Sequence, residues 1–446
     1  MILRTLRLKN FRRFADLNID FHEQLTVIVA RNGQGKTTLL DAATIALGTF
    51  VGAFDLGKAS HIERSDARYF STLERVASEQ QYPVEIEASF LQPAIHILRQ
   101  LMGPKNKTTI KDASELTDYG KRLQAAMREF SDEALPVVAY YGTGRLWKAH
   151  KNMNRKAVLS ESRSMAYEDC LSPASSFVQV QQWMAKATLA VWQQERTPGY
   201  EKSTLPAQVE NIKTTVDNLL AGEGWSNFHY SSQHEELAMQ HPDHGILPVS
   251  LLSDGVRAMI SLAADLAWRC TKLNPQLGHK ASIDSPGIVM IDEVDMHLHP
   301  IWQQKVIASL QHAFPTIQFI VTTHSPQVLS TVPAECIRSL ETEVDADTLE
   351  VRALVKTPLV QTQGLPSADV LARIQGGDPI PDVPPARWLG EYKALIQQYQ
   401  YESENGLALR RKLDGHFGKE HQVMLECDRL IRLMAMKKKL PAQKAG

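Results

Sequence analysis

The sequence predicts an α/β fold, a mixed sheet with helices packed against it, and three observations carry that prediction. Residues 25–30, Leu-Thr-Val-Ile-Val-Ala, form a nearly continuous apolar run of the kind buried on both faces of a parallel sheet. The loop Ala30-Arg-Asn-Gly-Gln-Gly-Lys-Thr37 follows at once and opens into a helical pattern. Later, helical and strand periods alternate from residue 253 to residue 322, as strands joined by packed helices do.

In chain order, residues 2–14 and 17–21 alternate apolar and polar side chains, the pattern of two half-buried strands. After the glycine loop, Leu39, Leu40, Ala43 and Leu47 recur at helical spacing, with Gly48 as the expected stop. A strand is expected at 84–90, an apolar helical stretch through Leu101, an exposed loop at 103–117 and a buried strand at 135–141. Residues 150–245 read as mainly polar and helical, without the long heptads of a coiled coil. Helices are expected at 253–270 and 302–314, and strands at 287–291 and 317–322. Beyond residue 360, Gly364, Pro366, Gly376, Gly377, Pro379 and Pro381 mark a linker-like stretch before charged helices at 388–399 and 423–436. The expected organisation is a head split between 1–149 and 246–358, a helical insertion at 150–245, and a helical region at 359–446 where partner specificity is expected.

Composition narrows the function classes. A chain of 446 residues, 43% hydrophobic and 22% charged, can bury a large core in more than one module. A net charge of -1 argues against a uniformly basic nucleic-acid coat. Cys170, Cys270, Cys336 and Cys427 lie far apart with no CxxC pair, which excludes a zinc ribbon and gives no disulfide scaffold. No apolar run approaches the roughly 18 residues of a membrane span. The first eleven residues lack a signal peptide's apolar core. A reduced, cytoplasmic protein with no membrane partner is expected.

Two motifs carry chemistry in their own right. Apart from Ala30, the loop at 30–37 matches the G-x-x-x-x-G-K-[ST] pattern that cradles a nucleoside triphosphate. Gly33 and Gly35 let the backbone curl so that successive N–H groups face phosphate, and Lys36 brings a charge to the β- and γ-phosphates. Asn32, Gly33, Gly35, Lys36, Thr37 and Thr38 are therefore the candidate ATP-binding residues, with the Thr37 hydroxyl a candidate Mg²⁺ ligand. Alanine in place of the first glycine requires negative φ at that position. The second motif is Gly287-Ile-Val-Met-Ile-Asp292-Glu293, an apolar strand ending in two acids. Asp292 is placed to reach Mg²⁺ and Glu293 to orient or deprotonate a water.

The remaining motifs gain meaning by resemblance. Leu252-Ser-Asp-Gly-Val256, about 40 residues before Asp292, resembles the LSGGQ-like signature of ABC-type ATPases, with Asp254 replacing the first glycine. There, Ser253 and Gly255 would cap the γ-phosphate held by an opposite protomer, and Asp254 should point away from it. Thr322-Thr-His324-Ser-Pro326 is similar to the segment carrying the switch histidine, so His324 joins Glu293 as a candidate catalytic residue. Asp295 falls where the D-loop lies; His297 and His299 lie two apart with no matching metal-ligand pattern nearby. Arg12 and Arg13, in Lys9-Asn-Phe-Arg-Arg-Phe14, resemble strand arginines that reach nucleotide in RecF- and SMC-like ATPases. The position of the Q-loop stays open between residues 140–145 and Gln92.

Together these motifs resemble the RecF/OLD-like ATPases of bacteria, most of all the ATPase subunits of Septu-type antiphage systems, some of them retron-linked. The resemblance covers about half the chain. It implies an ABC-type head with a RecF-like β lobe, head-to-tail self-association with ATP at the interface, and a separate HNH nuclease gated by the ATPase. A fused TOPRIM nuclease is not expected, since Asp345-Ala-Asp347 is the only late DxD. A RecF-like repair ATPase that binds DNA directly is the alternative, with Arg145, Lys148, Lys151, Arg155 and Lys156 as the stretch that would meet DNA or RNA phosphates. A transporter ATPase is disfavoured by the RecF-like start and the late helical extension.

Overall fold

A computed structural model describes residues 1–70, 79–144, 162–173, 177–194, 204–344 and 351–439. The chain divides into two compact units, Met1–Val370 and Leu371–Gly446.

In the first unit, a six-stranded sheet has the order Val351–Lys356, Ile337–Val344, Leu25–Val29, Ile317–Thr323, Gly287–Ile291, Val137–Tyr141. The first pair is antiparallel and the rest run parallel. Leu25–Val29, Gly287–Ile291, Ile317–Thr323 and Val137–Tyr141 are buried at every position, which is why their sequences are largely apolar. A second, antiparallel sheet runs Phe14–Asp20, Ile2–Phe11, Val84–Leu91, Ile95–Leu101. The helix Lys36–Val51 packs on both sheets, against Val84–Leu91 and against Ile317–Thr323. The Gln318 side chain joins the sheets directly: its amide accepts from Leu3 N at 2.8 Å and donates to Leu3 O at 2.8 Å.

Several sequence expectations need correction. Residues 95–101 form a strand, not a helix. The inward position Arg99 breaks the apolar alternation there. Its wholly buried guanidinium donates to the carbonyls of Ile45 (2.7 Å) and Ser60 (2.5 Å), and burial pulls its pKa down to about 10. Gly48 does not end its helix, which runs to Val51. A Cβ at Gly48 would lie 2.6 Å from Ser60 N, so the glycine serves close backbone packing. The exposed loop expected at 103–117 gives way to the helix Ser114–Arg128. The stretch 302–314 is two short helices, Pro300–Gln303 and Val306–Ala313. Within 150–245, the helices Phe177–Gln194 and Leu205–Leu220 are followed by a three-stranded sheet of Ser226–Ser231, Glu236–His241 and Gly245–Pro248. These strands are short, polar and half-exposed, so period two barely registers in their sequence.

The second unit packs the helices Pro384–Gln397, Glu404–Phe417 and Gln422–Lys439 around Tyr392, Ile396, Leu409, Leu413, Met424 and Cys427. Ser403 caps the middle helix by accepting from Gly406 N at 3.1 Å. Arg410 pairs with Asp414 at 2.9 Å and with Asp428 of the last helix.

Candidate nucleotide site

The loop after Leu25–Val29 curls through Gly33 (φ +75°) and Gly35 (φ +97°), both left-handed. Gly35 has a second constraint, because a Cβ there would meet Phe14 Cζ at 2.6 Å. Ala30 is not left-handed, so its methyl is tolerated; its carbonyl accepts from Lys36 Nζ at 3.2 Å. Asn32 and Gly33 are exposed, Thr38 half-buried and Lys36 buried.

Two other strand ends of the parallel sheet meet this loop. The Thr37 hydroxyl donates to Asp292 Oδ2 at 2.7 Å, and Thr322 Oγ1 donates to Asp292 Oδ1 at 2.5 Å. Glu293 has φ +49°, a strained conformation for a non-glycine, and Thr322 Oγ1 accepts from its N–H at 2.8 Å. Lys36 Nζ lies 2.5 Å from His324 Nε2, a contact that requires a neutral, accepting ring nitrogen. Burial, reinforced by Lys36, lowers the His324 pKa, which favours that form. Burial also lowers the Lys36 pKa, against the opposing pull of Asp292, Glu293 and Asp295. Thr323 holds Asp295 at 2.5 Å. The structure thus gathers Lys36, Thr37, Asp292, Glu293 and His324 from positions up to 288 apart. Thr37 and Asp292 supply a hydroxyl and a carboxylate side by side, a hard-oxygen pair that fits Mg²⁺, which takes few protein ligands beside substrate phosphates.

Other candidates lie elsewhere. Ser253 is exposed and N-caps the helix Asp254–Leu273 without a side-chain cap bond. Gly255 meets the D-loop segment, since a Cβ on it would be 2.5 Å from His297 O. Neither hydrogen-bonds to residues 30–38 of its own chain. Asp254 turns along the helix to accept from Arg257 at 2.6 Å. His299 Nδ1 accepts from Ile301 N at 3.4 Å and so caps a short helix. Arg13 donates to the Gly33 carbonyl, whereas Arg12 is held by Asp66 (2.8 Å) and Asp41 (2.5 Å). Val137–Tyr141 pairs with the strand of Asp292, so Gly142, Thr143 and Gly144 follow beside the acidic strand end. Gln92 sits instead in the hairpin turn of the antiparallel sheet. Arg145, Lys148, Lys151, Arg155, Lys156, Asp345 and Asp347 lie outside the described residues.

Residues that sequence reasoning missed are Thr322 and Thr323, whose hydroxyls donate to Asp292 and Asp295, and Asp41, which accepts from Arg12. Asp41 stands four positions after Thr37 on one helix face, a spacing that flags it in retrospect.

The fold and the convergence of these groups are those of a P-loop ATPase. Comparison with known proteins refines this. Residues 5–219 match the family described as AAA domain, and residues 149–330 match a second AAA-domain family, described with the AbiEii toxin of type IV TA systems. The chain is 25% identical to the probable ATPase of retron Vc95 from Vibrio cholerae serotype O1 biovar El Tor, over 89% of this chain and 82% of that one. It is 23% identical to Septu protein PtuA of Bacillus thuringiensis, over 85% of each chain. Among solved structures, the SMC head domain from Thermotoga maritima aligns with 17% identity and a TM-score of 0.43, over 81% of this chain and 100% of that one. Over most of its length the chain is thus similar to probable ATPases of retron and Septu systems. No helix among the described residues is long and apolar enough to cross a membrane.

Proposed function

We propose that the chain binds and hydrolyses ATP at a site completed by a second protomer, and that this cycle gates a separate HNH nuclease in antiphage defence. The observation that carries the reading is the convergence of Thr37, Asp292 and Thr322 with Lys36 and His324 at one end of the parallel sheet. N–H groups of the loop, with Asn32, Gly33, Gly35, Lys36 and Thr38, hold the triphosphate. Thr37 and Asp292 would hold Mg²⁺, which supplies charge neutralisation between the β- and γ-phosphates when bound. Glu293 orients and deprotonates the attacking water. His324 leaves Lys36 and turns to the γ-phosphate once Lys36 engages phosphate.

Ser253 and Gly255 suit a role in trans. The helix they open is exposed at its N-terminus and makes no bond to its own phosphate loop, so its N–H groups and positive dipole end serve the γ-phosphate of a neighbour. Asp254, turned onto Arg257, keeps its charge off that phosphate. Two protomers then close head to tail only while ATP is present.

The test is to co-express the chain with its genomic neighbours and weigh the purified assembly with and without ATP. The reading predicts ATP-dependent protomer association and co-purification of a small nuclease. A mass that is unchanged by ATP and contains one polypeptide species contradicts it.

A further inference from the structure

Arg12 and Arg13 sit side by side in the turn between Ile2–Phe11 and Phe14–Asp20, yet they have different partners. The Arg12 guanidinium pairs with two carboxylates: Nε donates to Asp66 Oδ1 at 2.8 Å and Nη1 to Asp41 Oδ2 at 2.5 Å. Its backbone N–H also donates to Asp66 O at 2.6 Å, which pins a left-handed residue (φ +51°). The two side-chain contacts aim the guanidinium at the acids. Arg13 is exposed, crosses the Gly33 carbonyl, and with Arg68 and Tyr69 lines an open cavity beside the phosphate loop.

Asp41 has a second partner. Burial, and then the negative charges of Asp41 and Asp292, raise the Tyr140 pKa, so its phenol lies beside Asp41. Tyr140 is 3% exposed and lies in register with Met290, on the strand that ends at Asp292. Asp41 is one helical turn beyond Thr37. Arg12, Asp41 and Tyr140 therefore bring the arginine turn, the phosphate-loop helix and the strand beside Asp292 together.

We propose that Arg12 is a positioning residue that acts through Asp41 and Tyr140 and does not touch nucleotide, and that Arg13 alone of the pair reaches it. This rests on the nucleotide-site reading above. Loss of these contacts lets the strand end at Asp292 shift while the phosphate cradle survives, so hydrolysis suffers and affinity does not. Loss of Arg13 does the reverse.

The experiment measures ATP affinity by equilibrium binding, kcat and KM for hydrolysis, and Tm, in Arg12→Ala, Asp41→Asn, Tyr140→Phe, Arg13→Ala and the Arg12→Ala/Asp41→Asn double variant. Misplacement of that strand end should lower kcat about tenfold or more in each of the first three, with ATP affinity little changed. The double variant should lose no more than the single ones. Arg13→Ala should weaken ATP binding about tenfold with Tm unchanged, the size of one charged contact. Tyr140→Phe, which removes one oxygen, keeps the test valid if Arg12→Ala fails to fold. Three results would overturn the proposal: equal losses of affinity in the two arginine variants, a fall in Tm with normal kcat for the Arg12, Asp41 and Tyr140 variants, or additive losses in the double variant. Lys36→Ala is the control for the site itself. Retained ATP affinity there sinks the nucleotide-site reading, whatever the arginines do.

Discussion

The Thr37 hydroxyl donates a 2.7 Å hydrogen bond to Asp292, a residue 255 positions away at the end of a different strand. Both oxygens are ligands of the kind Mg²⁺ prefers, and the bond holds them together at the mouth of the phosphate loop. Wild-type protein should bind a fluorescent ATP analogue more tightly with Mg²⁺ than with EDTA. Thr37→Val should shrink that difference by about tenfold, or about 1.4 kcal/mol. An unchanged Mg²⁺ effect in that variant contradicts the assignment.

Lys36 lies buried between the Ala30 carbonyl and His324, where it can meet phosphate only by leaving the histidine. Lys36→Ala should abolish measurable ATP binding. Micromolar affinity in that variant would place the triphosphate elsewhere.

Glu293 has a left-handed backbone conformation at the strand end, where its N–H donates to the Thr322 hydroxyl at 2.8 Å. Glu293→Gln keeps the shape and removes the base. It should bind ATP normally but hydrolyse it about 10²–10⁴ times more slowly, the usual contribution of a general base. Single-turnover rates check this, and wild-type turnover removes Glu293 from the catalytic role.

The helix opened by Ser253 is anchored by a buried network. Asp265 accepts from Tyr141 at 2.7 Å and from Arg269 at 2.8 Å, and Arg269 reaches the Ala166 carbonyl. Burial disfavours the Arg269 charge, but Asp265 more than offsets this and raises its pKa. Asp265→Ala strands a buried cation and should cost about 3–5 kcal/mol in denaturant unfolding. A loss under about 1 kcal/mol, the range of an exposed pair, would show that the network contributes little.

How much of this was legible in the sequence follows from the range of the interactions. The phosphate loop, the strand ending in Asp292-Glu293 and the segment at His324 announce themselves because each is a contiguous run with a fixed local geometry. Leu25–Val29 and Gly287–Ile291 were readable because burial on both faces leaves mostly apolar residues. Ile95–Leu101 was misread because buried Arg99 interrupts its alternation, and its compensating carbonyls, Ile45 and Ser60, are 54 and 39 positions distant. The partners of Arg12 were hidden for the same reason. Asp66 and Asp41 look like ordinary surface acids until the chain folds them onto one guanidinium. Thr322 reads as strand filler, yet its hydroxyl donates to Asp292 and accepts from the Glu293 N–H.

The central claim is that each ATP is completed by Ser253 and Gly255 of the partner subunit, and complementation between two dead variants tests it most directly. Lys36→Ala lacks a working phosphate loop, and Ser253→Arg blocks the capping helix; each alone should be inactive. Mixed in equal amounts, they form a heterodimer in half of the pairings. One of its two sites joins an intact loop to an intact cap, so about a quarter of wild-type ATPase activity should return. A mixture that stays inactive, or full activity in Ser253→Arg alone, would contradict the two-protomer site.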